Sequence, residues 1–255
     1  MSTTSTPTPS SSPPSRRRVP ARFAIIMAVL CAAAALPQSS LFTIDRIDVT
    51  GAVALDAATV RALSGLRPGQ RLFAVDAAAV AARLAAHPRI ALAVVRVRPP
   101  HAMSIAIVER RPVIALVVGD VFALVDEDLM VVDLGPNAGD LVRVVDRTAR
   151  SGWVRPGTRL SSDGVRVALA ALTNLPAALA GDVIKLVVTP GPDLTLVTRA
   201  GLEIRAGGLS GLSDRLAQVP GLIAALRARR LTVATIDLRY AGSIVVKPAA
   251  GGEAR

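Results

Sequence analysis

The spacing of apolar residues changes several times along the chain, and each change marks an element. Residues 1–15, MSTTSTPTPSSSPPS, carry no charge and almost no apolar surface, so they cannot offset the entropy of ordering and are expected to be disordered. A basic cluster follows, Arg16, Arg17, Arg18 and Arg22, and then an uninterrupted apolar run from Phe23 to Leu36. As a helix this run measures about 21 Å, short of a hydrocarbon core of about 30 Å. Continued through Pro37–Ser40 to Phe42 it reaches spanning length, with Arg22 snorkelling to the inner interface. Two readings therefore stand side by side: a retained single span over 23–42, or a signal peptide cleaved near AAAALPQSS. Both keep the positive cluster inside and export the body.

From Leu41 the pattern turns to alternation. FTIDRIDVTG reads as a half-buried strand ending at Gly51. Asp56 then caps a helix with Leu55 and Val60 placed as a hydrophobic staple, and Gly65 closes it. The same device recurs at Asp76, with Val75 and Val80 as the staple and Leu84 extending the stripe until His87-Pro88. Strands are expected at 90–98 and 102–110, separated by Pro99-Pro100. Strand, helix, helix, strand, strand makes a small α+β layer with both helices on one sheet face.

Beyond Pro112 the chain is strand-rich. VIALVVGDVFALVDEDLMVVDL holds three short apolar runs, and its acidic triplet Asp126-Glu127-Asp128 lacks the spaced ligand series of a calcium loop, so a plain turn is expected. A strand over 141–145 follows, then a helix capped by Ser161 with Leu160 and Val165 as staple, running to about Leu175. Three more strands, VIKLVVTP, DLTLVTR and LEIRAG, precede a last helix whose apolar face carries Leu212, Leu216, Val219, Ile223 and Leu226; Pro220 kinks it or starts a new first turn. The chain then reads IDLRYAGSIVVKP. Ile236, Leu238 and Tyr240 are expected on one face and Asp237 and Arg239 on the other, with Ala241-Gly242 turning into a return strand over 243–247. That strand either lies inside the sheet or forms an edge open to a partner strand; as the last element, an edge is expected.

Composition removes function classes more than it adds them. Hydrophobic residues make up 51% and aromatic ones 2%, so the core is built from Ala, Val, Leu and Ile. The net charge of +11 comes from scattered arginines, without a nucleic-acid-binding signature or stacking platforms, so no nucleic-acid partner is expected. Cys31 alone can neither staple a fold nor build a metal site. His87 and His101 have no second ligand at metal spacing and no serine partner, GGLSGLS lacks the second glycine of a nucleophile elbow, and no phosphate-cradling loop occurs. Glu109 beside Arg110 and Arg111 could be a general acid, but a strand-end salt bridge is the expected role. No catalytic residue, cofactor or metal site is expected.

The segment from FTIDRIDVTG to VERRPVIAL resembles a POTRA domain, and its closing strand pair resembles that of the bacterial cell-division family FtsQ, also called DivIB. IDLRY at 236–240 matches the local pattern near the end of that family's second domain. The resemblance implies a disordered basic cytoplasmic tail at 1–22, a transmembrane helix at 23–42, a β-α-α-β-β POTRA domain at 43–111, a β-rich domain with two helices at 112–248 and a flexible tail at 249–255. It also implies a non-enzymatic divisome scaffold in the inner membrane at the septum, coordinating septal peptidoglycan synthesis. FtsB-like, FtsL-like and septal synthase components would be its partners. Partner binding then falls on Arg239 as ion-pair donor, Tyr240 as anchor, the turn Ala241, Gly242 and Ser243, and the strand Ile244, Val245 and Val246. The alternative, favoured by a cleaved signal peptide, is a periplasmic POTRA-bearing chaperone or transport component.

Overall fold

The computed structural model describes residues 22, 25–27, 42–148, 154–191, 193–240 and 243–248. Most of the expected span at 23–42, and the tails at 1–21 and 249–255, lie outside these residues. Among the described residues no helix is long and apolar enough to cross a membrane.

The first module runs β1 (Arg46–Thr50), α1 (Ala57–Ser64), a 3-10 turn (Leu72–Ala74), α2 (Ala77–Ala85), β2 (Ile90–Arg98) and β3 (Ala102–Glu109). Its sheet order is β1-β3-β2, with β1 parallel and β2 antiparallel to β3. Both helix starts form as their sequences dictate. Asp56 accepts from the Thr59 N–H, and Asp76 accepts from Ala78 and Ala79 at 2.9 and 3.0 Å, which satisfies donors that a helix start leaves unpaired. Val60, Val80 and Leu84 turn inward onto Ile47, Met103, Ile105 and Ile107 to make one buried cluster. Phe42 packs against the same cluster and its carbonyl accepts from the Leu72 N–H at 2.8 Å. Residue 42 therefore belongs to the folded module and not to the preceding apolar segment.

Gly51 ends β1 at φ +82°, and a Cβ there would lie 2.0 Å from the Ile107 carbonyl oxygen. An alanine would combine an unfavourable left-handed backbone with a collision against backbone that cannot move aside. Gly51→Ala is expected to cost about 2 kcal/mol or more, read as a lowered urea midpoint with unchanged slope.

The second module runs β4 (Ile114–Val118), β5 (Val121–Val125), β6 (Val131–Gly135), β7 (Val142–Asp146), α3 (Asp163–Thr173), α4 (Ala177–Ala180), β8 (Val183–Thr189), β9 (Asp193–Thr198), β10 (Glu203–Gly207), α5 (Leu212–Ala217), α6 (Val219–Ala228), β11 (Val233–Asp237) and β12 (Val245–Pro248). The nine strands form one sheet in the order β12-β11-β10-β9-β8-β7-β4-β5-β6. Register places a single row of apolar residues straight across it: Leu134, Ala123, Leu116, Val144, Leu186, Leu196, Ile204, Ile236 and Val246. The interior of this row is buried under α3, α5 and α6, while its two end members are only partly covered.

Two sequence expectations are corrected here. Among the described residues the module holds four helices, not two. α4 is a single turn after Pro176, too short to show a period, and Pro220 begins a separate helix, α6, by occupying its first turn. The cap of α3 is Ser162 and not Ser161: Ser162 Oγ accepts from the Val165 N–H and donates to Asp146.

Charged contacts join the modules. The Glu109 carboxylate accepts the N–H groups of Val53, Ala54 and Leu55 at 2.8–2.9 Å, because the loop after Gly51 presents three donors in succession. This replaces both the ion pair and the general acid considered for Glu109. Arg110 reaches Asp126 at 2.7 Å, and Arg89 of the first module pairs with Asp133 of the second. The acidic triplet is thus a turn, and its first member is anchored by the residue directly after β3.

Burial pushes the Glu109 pKa up, but the N–H donors of Leu55, Ala54 and Val53, helped by the charge of Arg89, hold it below its ordinary value of 4.5. A depressed folded pKa contributes stability above the unfolded value that is lost as pH falls through the folded one. The melting temperature is therefore expected to fall as pH drops below 4.5, and Glu109→Gln is expected to flatten that part of the profile.

Candidate partner-binding edge

A nine-stranded open sheet has two edges, and they are treated differently. At β6 the loop between β7 and α3 covers the start of the strand: Val131 N–H donates to Thr158 at 3.0 Å, Gly157 N–H to Val131 at 2.8 Å and Leu160 N–H to Leu129 at 2.8 Å. At the opposite end β12 pairs with β11 and, among the described residues, with no other segment. No other described residue hydrogen-bonds to its outer backbone groups, the arrangement that accepts an added strand.

The side chains along this edge are apolar and incompletely covered. Val246 sits opposite Ile236 and so falls on the core face of the sheet, while Ile244 lies just before the strand. Ile236 is fully buried, whereas Val246 is only partly covered and Ile244 is 40% exposed. Val245 faces the other side opposite Asp237 and is half-exposed. Ser243 donates its backbone N–H to the Tyr240 carbonyl at 3.2 Å. Ala241 and Gly242 lie outside the described residues.

Tyr240 departs from the expected alternation. β11 ends at Asp237, and although Leu238 continues the pairing by donating its N–H to the Arg205 carbonyl at 2.8 Å, the chain then turns away. Ile236 and Leu238 are buried as the pattern requires, but Tyr240 is 58% exposed and leaves their face. Its ring lies under the Arg239 guanidinium, 5.8 Å away, within reach of a cation–π contact.

Arg239 is held from three sides. Its Nε and Nη2 donate to Asp237 at 2.9 and 2.7 Å, and Nη1 reaches Asp193 at 3.5 Å. Hydrogen bonding from Arg239 holds the Asp237 carboxyl below the usual aspartate range against the opposing effect of burial, and raises the pKa of the arginine in return. The side chain crosses Gly207, where a Cβ would stand 3.2 Å from its Cγ. The neighbouring loop is fixed by Arg215, which donates to the carbonyls of Ala206, Gly208 and Ser210. Asp193 lies 46 residues before Arg239, so no spacing rule could link them; the Gly207-Gly208 pair was the only local signal of a close approach.

The chemistry on offer is recognition: free backbone groups, an exposed phenol, half-covered aliphatics and a positioned guanidinium. Among the described residues no group of three His, Cys, Asp or Glu side chains converges as metal ligands would.

A family model described as "POTRA domain, FtsQ-type" matches residues 42–110, which is the first module. Over a longer stretch the chain is 33% identical across 198 residues to the cell division protein FtsQ of Streptomyces collinus, covering 74% of this chain and 72% of that one. The chain belongs to the FtsQ family of cell division proteins. FtsQ of Streptomyces coelicolor is 30% identical over 220 residues, with 82% of this chain and 78% of that one covered. FtsQ of Geobacter sp. (strain M21) is 27% identical over 218 residues, with 82% and 77% covered. Similarity to FtsQ proteins over such lengths must take in the nine-stranded module as well as the POTRA domain.

Proposed function

We propose that this FtsQ-family chain is a non-enzymatic scaffold of the division machinery. In this reading residues 1–22 form a basic cytoplasmic tail, the apolar segment after Arg22 spans the inner membrane once, and the POTRA and nine-stranded modules stand outside it at the septum. The scaffold holds other division membrane proteins, an FtsB-like partner with FtsL-like and septal synthase components beside it, and so couples septum formation to septal peptidoglycan synthesis.

One observation carries the binding assignment: among the described residues β12 is an edge unpaired on its outer side, and its core-facing Val246 and the preceding Ile244 are left partly uncovered. A partner strand paired with β12 would extend the sheet and shield these side chains together, with Tyr240 and Arg239 beside its end. Tyrosine and arginine are the side chains that most often anchor interfaces. Arg239 enters such an interface already hydrogen-bonded to Asp237, so its contribution is a fixed geometry more than a free charge.

Crosslinking in dividing cells, followed by recovery of the chain and identification of its adducts, tests the scaffold reading. Division membrane proteins crosslinked through positions 243–246 are the expected result, and adducts confined to the POTRA module would overturn the edge assignment. N-terminal sequencing of the mature chain tests the anchor. An intact N-terminus in the membrane fraction supports a retained span, and a terminus near Pro37 supports a cleaved signal.

A further inference from the structure

The end of the POTRA module nearest the apolar segment combines cationic and aromatic side chains in one place. Register puts Arg46, Ala102 and Arg98 at the same end of the three-stranded sheet. The chain enters there: Thr43 bridges Arg71, Ile44 N–H donates to Gln70 at 2.8 Å, and the loop 67–73 lies alongside. Phe73 is 48% exposed, with Phe42 edge-on to it at 5.2 Å between ring centres. Arg46, Arg67, Arg71 and Arg98 are all exposed, and among the described residues only Arg46 has an ion-pair partner, Asp48. Two other acids lie near this end: Asp45, which faces His101, and Asp76, which lines the same pocket as Arg71 and caps α2 through the N–H groups of Ala78 and Ala79.

We propose that this end of the POTRA module, with Phe73 at its centre and Arg67, Arg71 and Arg98 around it, rests on anionic phospholipid headgroups. The seat rests on the retained-anchor reading above. Leu36 is the last residue of the apolar run and Phe42 is already folded into the module, so the connection extends at most about 20 Å even if fully stretched. Headgroups occupy roughly 5–8 Å beyond the hydrocarbon edge, and charges act across a further ~8 Å at physiological ionic strength. A tether of this length holds the arginines where an anionic surface attracts them, each by roughly fivefold in the population of the contact. An aromatic side chain suits the same depth, since rings of this kind collect at the interface between hydrocarbon and water. A protein partner at this end would have to compete with the bilayer for the same few ångströms.

The test uses the full chain in lipid nanodiscs, one set of phosphatidylcholine alone and one that also contains phosphatidylglycerol, with a nitroxide on a fraction of headgroups. Phe73→Trp places a fluorophore at the seat. Val53→Trp places one at the opposite end of β1, where the native side chain is 87% exposed. Quenching beyond that of the parent chain is expected for Phe73→Trp and not for Val53→Trp, severalfold stronger in anionic discs and reduced by added salt. Adding Arg67→Glu and Arg71→Glu is expected to bring Phe73→Trp down to the Val53→Trp level, and the salt series gives the same answer without these substitutions. Equal quenching at both positions, or quenching at 73 indifferent to lipid charge and salt, overturns the seat. Failure of the chain to co-elute with discs overturns the anchor, and the seat with it. Incorporation without localised quenching overturns the seat alone.

Discussion

Tyr240→Ala is expected to weaken binding of an FtsB-like partner by about 30-fold or more, the loss of roughly 2 kcal/mol that marks an interface anchor. The fold should hardly notice, because the side chain is 58% exposed and its one ring contact among the described residues is Arg239; a change beyond about 0.5 kcal/mol is not expected for such a surface substitution. Isothermal titration against the partner's extracytoplasmic segment, with a thermal melt of the same sample, reads both quantities. Unchanged affinity would remove Tyr240 from the site. Arg239→Glu is a poorer instrument than it looks from sequence. It would set a third carboxylate against Asp237 and Asp193 across Gly207, so any loss of binding would be mixed with local unfolding. The backbone can be tested separately by proline at each of Ile244, Val245, Val246 and Lys247 in turn. Residues that bond β11 alternate with residues that face outward. Prolines at inward positions should remove a ladder hydrogen bond and cost about 1–3 kcal/mol of stability, and those at outward positions should abolish partner binding at little cost to the fold. A scan without that period of two would sink strand addition as the mode of binding.

Asp126→Ala is the substitution expected to damage the structure most. Asp126 is 5% exposed and accepts from Arg110, itself 15% exposed, while its other oxygen takes the N–H groups of Asp128 and Met130 at 3.0 and 2.8 Å. Removing the carboxylate leaves the largely buried Arg110 guanidinium with only the exposed Asp128 at 3.4 Å and two turn donors unpaired, a loss of about 3 kcal/mol. Asp126→Asn keeps an acceptor for the turn and should fall between alanine and the parent. Because Arg110 follows β3 directly, the damage should appear in both modules, and hydrogen exchange should rise in β3 as well as in β5 and β6. Faster exchange confined to β5 and β6 would mean that the pair does not couple the modules.

The POTRA module was the most legible part of the chain because its signals are local. Asp56, Asp76 and Gly65 act within four residues of themselves, and the Pro99-Pro100 turn separates two long alternating strands. The second module was legible as strands but not as a sheet. Parallel pairing of β4 with β7, β7 with β8 and β10 with β11 joins segments far apart in sequence, and nothing in a strand's own pattern names its neighbour. The same limit applied at the candidate site. IDLRY placed Asp237 and Arg239 on one face, which the structure bears out as a hydrogen-bonded pair. Asp193 and Gly207 come from other strands and could not be assigned to it. Tyr240 departs for a different reason: strict alternation sets it with Ile236 and Leu238, but β11 has already ended at Asp237.

The row of nine apolar residues across the large sheet bears on how the chain acquires its binding edge. β12 reaches the rest of the sheet only through β11, and β11 only through β10, a parallel pairing that must wait for α5 and α6 to form between them. Closing that crossover requires loop entropy to be offset before its contacts repay it. The edge strand is therefore among the last parts to assemble, and with neighbours on one side only it belongs to the region that opens most readily. A chain halted between β11 and residue 245 would carry a folded POTRA domain and most of a sheet, yet present no strand for a partner to join.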